Sequence, residues 1–468
     1  MLKIIIRDDK PIFPFNEPAR DLRILNKPLW LFQRDVLSPY CTREIEVSGQ
    51  EINRPLQILQ EMDQLIPLNQ ELLVYRDNLF FDDHLLAAFL EKAKAKARQE
   101  NKASQVAFSL NDAAISNYAL LLQEGIRPRE NENVSVADLW YFPSGLTDDI
   151  EPVVVDTSAR EIGYYHVPTY MADSSGDLAY QIPLRAFLSI ENWVHVFLAN
   201  VPFGVIAHGA RTEASLGRPQ PLLRILLRSL IERKQFLSSS AMVQVGRGAH
   251  IDPTAIIQGP AMIGDNVVIE AGAVITNSLI GRNVTIGQGA QVMASVVSDG
   301  CYLPFRAALF MTTLFENAMI AQNACLQLCV IGRDTFIGAG NTFTDFNVLG
   351  KPIRTLHKGK LQEVGLPALG CCVGNNCRIG SGFTIYPARI IESDVVLVAT
   401  TGRQVITENI SFAESDHHHW PEHSHQPQYR PERTQPLNQP LQRDDPTLRT
   451  DDMLVTEHRK TLWANLHR

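Results

Sequence analysis

Lys351, Arg354, His357 and Lys358 crowd into the short stretch "KPIRTLHK". Two ammonium groups and a guanidinium so close together suit an anion, because each makes charge-assisted bonds to its oxygens. His357 is either a base for an attacking amine or hydroxyl, given a carboxylate neighbour, or a plain surface histidine. Asp77 stands after the strand-like run "ELLVYR" and before the helix-like "DHLLAAFLEKAKAKARQE", a place where a carboxylate caps backbone N–H groups. His417, His418, His419, His423 and His425 are a loose metal site or simply a polar tail, since no carboxylate or cysteine shell accompanies them. Cys325 with Cys329, and Cys372 with Cys377, have metal-ligand spacing, but small apolar filler is the simpler role for cysteine here.

The basic cluster sits on an excursion from a repeat. Val245, Ile251, Ile257, Ile263, Ile269 and Ile275 fall six residues apart. Ile280, Ile286, Val292, Val297, Leu303 and Leu309 continue the series with two five-residue steps. The period fits neither a 3.6-residue helix nor one alternating strand. It fits a coil of three short strands, with every sixth aliphatic on the axis and glycine or a short polar residue at the corner. Ile320, Leu326, Ile331 and Ile337 resume it, as do Val373, Ile379, Ile385, Ile391 and Leu397. Roughly six to seven coils follow, each rising about 4.8 Å. Residues 341–372 break the rhythm, and such a loop on a rigid scaffold is either functional or merely solvated.

The remaining chain frames this solenoid. Its net charge of −8 argues against broad attraction to nucleic acid or to an anionic membrane. No apolar run reaches the length of a membrane span, and "MLKIIIRDDK" lacks a signal-peptide pattern. Seven cysteines, an odd number, point to reduced thiols and a cytoplasmic location. Residues 1–205 read as an α/β domain. Strand-like "LKIIIR", "ELLVYR" and "EPVVVD" alternate with helical runs, which predicts a mostly parallel, Rossmann-type sheet with helices on both faces. Residues 206–240 read as a connector helix whose leucines and isoleucines pack while its arginines face solvent. Residues 241–414 form the solenoid. Residues 415–468, rich in Pro, Gln, His and charge, are expected to be disordered.

The solenoid resembles the hexapeptide repeat of left-handed β-helix proteins, mostly acyltransferases and the C-terminal halves of sugar-1-phosphate nucleotidyltransferases. "IGAGNTFTDFNVLGKPIRTLHKGK" is similar to the β-helix end of bifunctional sugar-phosphate nucleotidyl- and acetyltransferases, with Gly338, Ala339, Gly340, Asn347, Lys351, Lys358 and Gly359 at corresponding places. The resemblance implies acetyl-CoA or another acyl-CoA as donor and a sugar phosphate held by Lys351, Arg354 and Lys358. It also implies a catalytic place for Asn347, beside which His357 is the candidate base by its own chemistry, in a site shared between subunits of a homotrimer. Non-axial Val268, Val274, Leu279 and Met293 leave apolar surface for such an interface.

The front half looks like a sugar-1-phosphate nucleotidyltransferase domain. "FPFNEPARDLRILNKPLWLFQRDVL" carries an N-K-P-L element at Asn26, Lys27, Pro28 and Leu29, which makes Lys27 a candidate nucleotide contact. "ELLVYRDNLFF" resembles the strand ending in the Mg²⁺ carboxylate, which would be Asp77, beside its alternative role as a cap. "IENWVHVFLAN", with Trp193 and Asn200, is similar to the segment leading towards the β-helix. The family's glycine-rich phosphate loop is missing: "KIIIR" runs into "DDKPIFPFN". There Asp8 and Asp9 add negative charge, Cβ atoms obstruct backbone approach, and Arg20 stands in for the lost arginine. Three readings remain. One is a sugar-nucleotide pathway transferase working at the β-helix with an eroded front domain. Another is an inactive assembly or regulatory protein. The third is a nucleotidyltransferase with an altered phosphate loop, which alone would need Mg²⁺.

Overall fold

A computed structural model of the chain describes residues 1–48, 70–129, 132–166, 177–419 and 425–429. Arg43–Ser48, Leu2–Arg7 and Leu72–Arg76 lie side by side and parallel in a seven-stranded sheet. At its other side Ile150–Val154 runs parallel to Ala103–Ser109. Val134–Phe142 joins the two groups antiparallel to both neighbours, and Ile126–Arg129 pairs antiparallel with it. The sheet is therefore mixed rather than mostly parallel, because a strand–helix alternation in sequence carries no sign of strand direction.

One face of the sheet packs on Leu29–Leu37 and Asp83–Glu100 through Leu29, Leu37, Leu85, Leu86 and Phe89. Asp82 caps the second helix, accepting the Leu85 N–H at 2.8 Å. On the opposite face Ile4, Ile6, Val74 and Trp140 cluster with Leu146 and Ile150, and no described helix joins them.

Residues 206–240 hold parts of two helices. Trp193–Asn200 continues through the wide turn Val201–Ile206 into Ala207–Leu216, past the expected domain edge at 205. Pro219–Glu232 then starts afresh, proline being tolerated in a first turn. Only Ile225 of this second helix is buried, and its leucines face solvent. This reverses the expectation that the leucines pack: periodicity reveals a stripe but not the direction it faces.

From Val243 onward the chain winds into three eight-stranded parallel sheets. The first face starts with Val243–Val245, the second with His250–Ile251 and the third with Ile256–Gln258, and successive strands visit the faces in turn. This stacking fits a left-handed β-helix. Ile263, Ile269, Ile275, Ile286 and Leu303 are buried along the axis, each worth about 1.5–3 kcal/mol on burial. Cys301, Cys329, Cys371 and Cys377 fill the same axial core.

Eight coils form, more than the repeat alone indicates. Thr313–Leu314 escapes the pattern because Phe315 follows the axial residue, and Val405–Ile406 because a longer step separates Ile406 from Leu397. At the first corner of each coil stands one residue with positive φ: Gly248, Asn266, Asn283, Gly300, Asn317, Asp334, Asn376 and Asp394. Glycine, asparagine and aspartate adopt this left-handed conformation most readily. Gly264 meets a different demand, since a Cβ there would lie 2.4 Å from the Gly281 carbonyl oxygen of the next coil.

The expected tail begins in order. Asp416–His419 turns against the last coil, with Asp416 accepting the Val398 N–H at 2.7 Å and pairing with Arg403 at 2.6 Å. Gln428 and Tyr429 donate backbone N–H groups to Asp394 at 2.8 and 2.7 Å. His423 and residues 430–468 lie outside the described residues.

Candidate functional site

The α/β sheet and the β-helix share one core. Leu85, Phe108 and Trp193 belong to the same cluster as Phe315, Val330, Leu366, Cys372 and Ile390. A strap at residues 14–26 reinforces it. Ser393 Oγ donates to the Pro14 carbonyl at 2.7 Å, and Asn375 Nδ2 to the Phe15 carbonyl at 3.1 Å. Glu17 pairs with Arg333 at 2.7 Å, Arg23 with Glu316, and Asn26 Nδ2 donates to Asp299 at 2.9 Å. These partners climb down five successive coils, from the eighth to the fourth. The stretch standing in place of a glycine loop thus uses its bulk as an anchor, with the Phe15 ring 5.1 Å from Phe315. Asn200 fixes the far end, accepting the Leu25 N–H at 2.7 Å and donating to the Arg23 carbonyl at 3.0 Å. Lys27 lies exposed beyond the strap and pairs with Asp35 at 2.6 Å.

Asp77 is buried at the carboxyl end of its strand, where open α/β sheets bind ligands. One of its oxygens accepts the Asp8 N–H at 2.8 Å and the other meets Arg20 at 3.3 Å. Burial, only partly offset by the Asp8 amide and Arg20, raises its pKa to about 6. Asp8 lies 3.7 Å from Arg76, and Arg76 meets Asp138 at 2.7 Å. Asp9 pairs with Arg7 at 2.9 Å. A hard cation needs several oxygens converging on one point. Here both Asp77 oxygens are engaged and each neighbouring carboxylate faces an arginine, so the residues do not fit Mg²⁺.

The loop between Phe343 and Cys372 carries a hairpin, Arg354–His357 against Lys360–Glu363, turned by Lys358 and Gly359 at positive φ. It clips onto the helix Trp193–Asn200. Trp193 Nε1 donates to Thr355 Oγ1 at 2.9 Å, and Asn192 Nδ2 to the Leu356 carbonyl at 3.2 Å. His357 is buried with its Nδ1 3.3 Å from that same amide, and burial lowers its pKa. Lys358 pairs with Glu124, Arg354 with Glu363 at 3.2 Å, and Asn347 accepts the Leu349 N–H at 3.1 Å. Lys351 is exposed ahead of the hairpin. The loop residues are therefore dispersed over separate partners rather than gathered round one anion. The alternation in "RTLH" and the K-G turn were the available signals for a hairpin.

Below the clip, His195 accepts the N–H groups of Glu191 and Asn192 on Nδ1, both at 3.1 Å. Its Nε2 donates to the Leu121 carbonyl at 2.8 Å, which fixes the neutral tautomer. Burial pushes its pKa down to about 4.

A cleft of about 490 Å³ opens elsewhere, between the third face of the β-helix and a second hairpin, Arg160–His166 with Asp177–Ile182. Tyr164, Tyr165 and His166 wall one side. Gln291, Met293, Ala308, Phe310, Cys325 and Gln327, from consecutive coils, wall the other. Tyr164 stacks on Tyr180 with ring centroids 4.3 Å apart, and Tyr165 lies 6.2 Å from Phe310. With its amide nitrogen towards Asp345, Gln327 donates to that buried carboxylate at 2.8 and 3.2 Å. Burial raises the Asp345 carboxyl and the Cys325 thiol, so Cys325 is a protonated wall residue, not a nucleophile. Of these residues the sequence singled out Met293, as outward apolar surface, and Cys325, for its spacing from Cys329; the others are ordinary outward positions of a hexad or of a "GYYH" strand.

Fold and cleft together define a parallel β-helix built on hexads, with an α/β domain riding on its side. Residues 242–277 match the family described as bacterial transferase hexapeptide (six repeats). The chain is 30% identical over 194 residues to the putative uncharacterized acetyltransferase YaiX of Escherichia coli (strain K12), covering 40% of this chain and 80% of that protein. It is 23% identical over 205 residues to gamma carbonic anhydrase 2, mitochondrial, of Arabidopsis thaliana, covering 42% of this chain and 62% of that relative's length. A UDP-N-acetylglucosamine acyltransferase from Campylobacter jejuni aligns structurally with a TM-score of 0.23 and 16% identity, over 34% of this chain and 68% of that one. The chain belongs to the hexapeptide-repeat transferase family.

Proposed function

We propose that the chain is an acyltransferase working in the cleft between the aromatic hairpin and the third face. It would move an acyl group from an acyl-CoA to the amine or hydroxyl of a sugar phosphate. The acceptor's nitrogen or oxygen attacks the thioester carbonyl, a C–N or C–O bond forms, the C–S bond breaks and CoA leaves as the thiol. His166 takes the acceptor's proton and returns it to the departing sulfur, and the amides of Gln291 and Gln327 donate to the carbonyl oxygen as negative charge develops there. Asp345 holds the Gln327 amide in place. The carrying observation is the cleft itself, walled by the repeat on one side and aromatic rings on the other. The similarity to an acetyltransferase supports the reaction class. The sugar phosphate is carried over from the sequence resemblance of the 338–359 stretch as a whole; Lys358 itself is held by Glu124, and none of that stretch lines the cleft.

The test mixes the full chain with acetyl-CoA, amino-sugar phosphates and a thiol-detecting reagent. Release of CoA that falls about a hundredfold in His166→Ala or Gln327→Ala supports the reading. Lys358→Ala should alter it little. No release over a broad panel of donors and acceptors would favour an assembly protein, for which the strap and clip are the supporting observations. A carbonic-anhydrase-like reading would need a metal held by three or more side chains. Among the described residues the group of that kind is Asp82, Asp83 and His84, in the α/β domain.

We also propose a homotrimer. The first face is sealed by the α/β domain from its fourth coil on, where Val296, Thr313, Val330, Cys372 and Ile390 are buried. The third face carries the cleft. The second face presents the register Val268, Thr285, Tyr302, Met319 and Phe336, a flat, largely apolar ladder. The four residues singled out in sequence do not share a face: Val268 lies on the second, Val274 and Met293 on the third and Leu279 on the first.

A further inference from the structure

Pro219–Glu232 is an α-helix turned the wrong way for a connector. Leu222, Leu223, Leu226, Leu227, Leu230 and Ile231 are all exposed, the last two at 75% and 77%. At 3.6 residues per turn they occupy one half of the helix surface, with Arg224 and Arg228 along one border. Ile225 alone points inward. Arg218 precedes the helix and Arg233 and Lys234 follow it, all exposed. Across this stretch five cations meet one carboxylate, Glu232, which already accepts from Ser240 at 2.9 Å and lies 3.8 Å from Arg228.

We propose that this helix docks the protein on an anionic lipid surface. Such a surface supplies both things the helix presents a demand for, an apolar boundary for the leucines and anionic headgroups for the cations. A second copy of the same helix supplies only the first. Pairing two stripes would crowd two sets of five cations against two carboxylates that already have partners. The overall charge of −8 does not oppose docking. Screening confines electrostatics to about 8 Å at physiological salt, so the local excess decides. The expectation of no membrane partner came from the net charge, which averages this excess away.

Flotation of the full chain with vesicles tests the proposal. The protein should rise with vesicles containing phosphatidylglycerol, and bind at least about tenfold less to pure phosphatidylcholine and at high salt. Leu226→Gln combined with Leu230→Gln and Ile231→Gln should keep the melting temperature, since these side chains are exposed, yet abolish flotation. Arg224→Gln with Arg228→Gln should weaken it. No flotation with anionic vesicles would overturn the proposal, as would unchanged flotation of the leucine variant. A leucine variant whose mass in light scattering falls below that of the unmodified protein would also overturn it and assign the stripe to a second copy.

Discussion

Glu17 Oε1 and Arg333 Nη1 lie 2.7 Å apart, although 316 residues separate them in the chain. The other Glu17 oxygen accepts from Asn375 Nδ2 at 2.9 Å, so a single carboxylate ties the strap to the sixth and seventh coils. Burial holds the Glu17 carboxyl above its ordinary pKa even with Arg333 beside it, which marks the pair as substantially desolvated. Removing one member of such a pair costs more than the pair contributes, because the survivor keeps its desolvation penalty.

Arg333→Ala should therefore destabilise the chain by about 3 kcal/mol. Urea denaturation checks this. The double change with Glu17→Ala should cost less than the sum of the single changes, because it leaves no orphaned charge. Additive effects would show that the pair does not couple the two parts.

Acid should loosen the seam before it harms the prism. His195 is held neutral by two N–H donors on Nδ1, and burial lowers its pKa from 6.5 to about 4. A depressed folded-state pKa means its contribution is complete above 6.5 and is lost as pH falls through about 4. His357 shifts in the same direction through burial and the nearby Lys358, opposed by Glu191 and Glu124. Melting temperature followed over that window should fall, and His195→Gln should flatten the dependence while lowering stability at neutral pH. An equal slope in the variant would place the titration elsewhere.

Within the solenoid, position matters more than composition. Ile286→Asp puts an unpaired carboxylate on the apolar axis and should cost more than about 4 kcal/mol, enough to unfold or aggregate the chain. Met262→Asp, at an exposed outward position of the first face ahead of its sealed coils, should change stability by about 0.5 kcal/mol or less. Circular dichroism melts of the two variants provide the comparison. Similar melts would contradict the axial register.

The axial register was legible because Ile263, Ile269 and Ile275 answer to one local rule, a side chain on the axis at every sixth residue. Leu314 hid because Phe315 after it points towards the α/β domain and satisfies a second demand, contact with Phe15. The candidate site was much less legible. Glu17 and Arg333, or His357 and Asn192, are matched across the chain, and neither partner carries a local sign of the other. "KPIRTLHK" displays cations, but their meaning depends on Glu124 and Glu363 opposite them. The cleft was invisible for a further reason. Gln291, Phe310 and Gln327 gain significance only from the coil stacking that aligns them and from a hairpin donated by another part of the chain.

The proposed trimer depends on the second face being free and flat. Val268, Thr285, Tyr302, Met319 and Phe336 stand in one register, and Tyr302 is 45% exposed. Above them Arg378 and Val396 continue the ladder, but Val396 is buried at the coil where Asp416–His419 turns. The open strip thus covers the second to sixth coils. Burying it around a threefold axis would remove apolar surface from water on every copy at once, and the closed symmetry leaves no unsatisfied end. Tyr302→Glu with Phe336→Glu would set like charges against one another on that axis. Light scattering should give about three times the single-chain mass of 52.3 kDa for the unmodified protein and the single-chain mass for the variant. An unmodified protein at 52.3 kDa would remove the trimer. A variant that stays trimeric would move the interface off the second face.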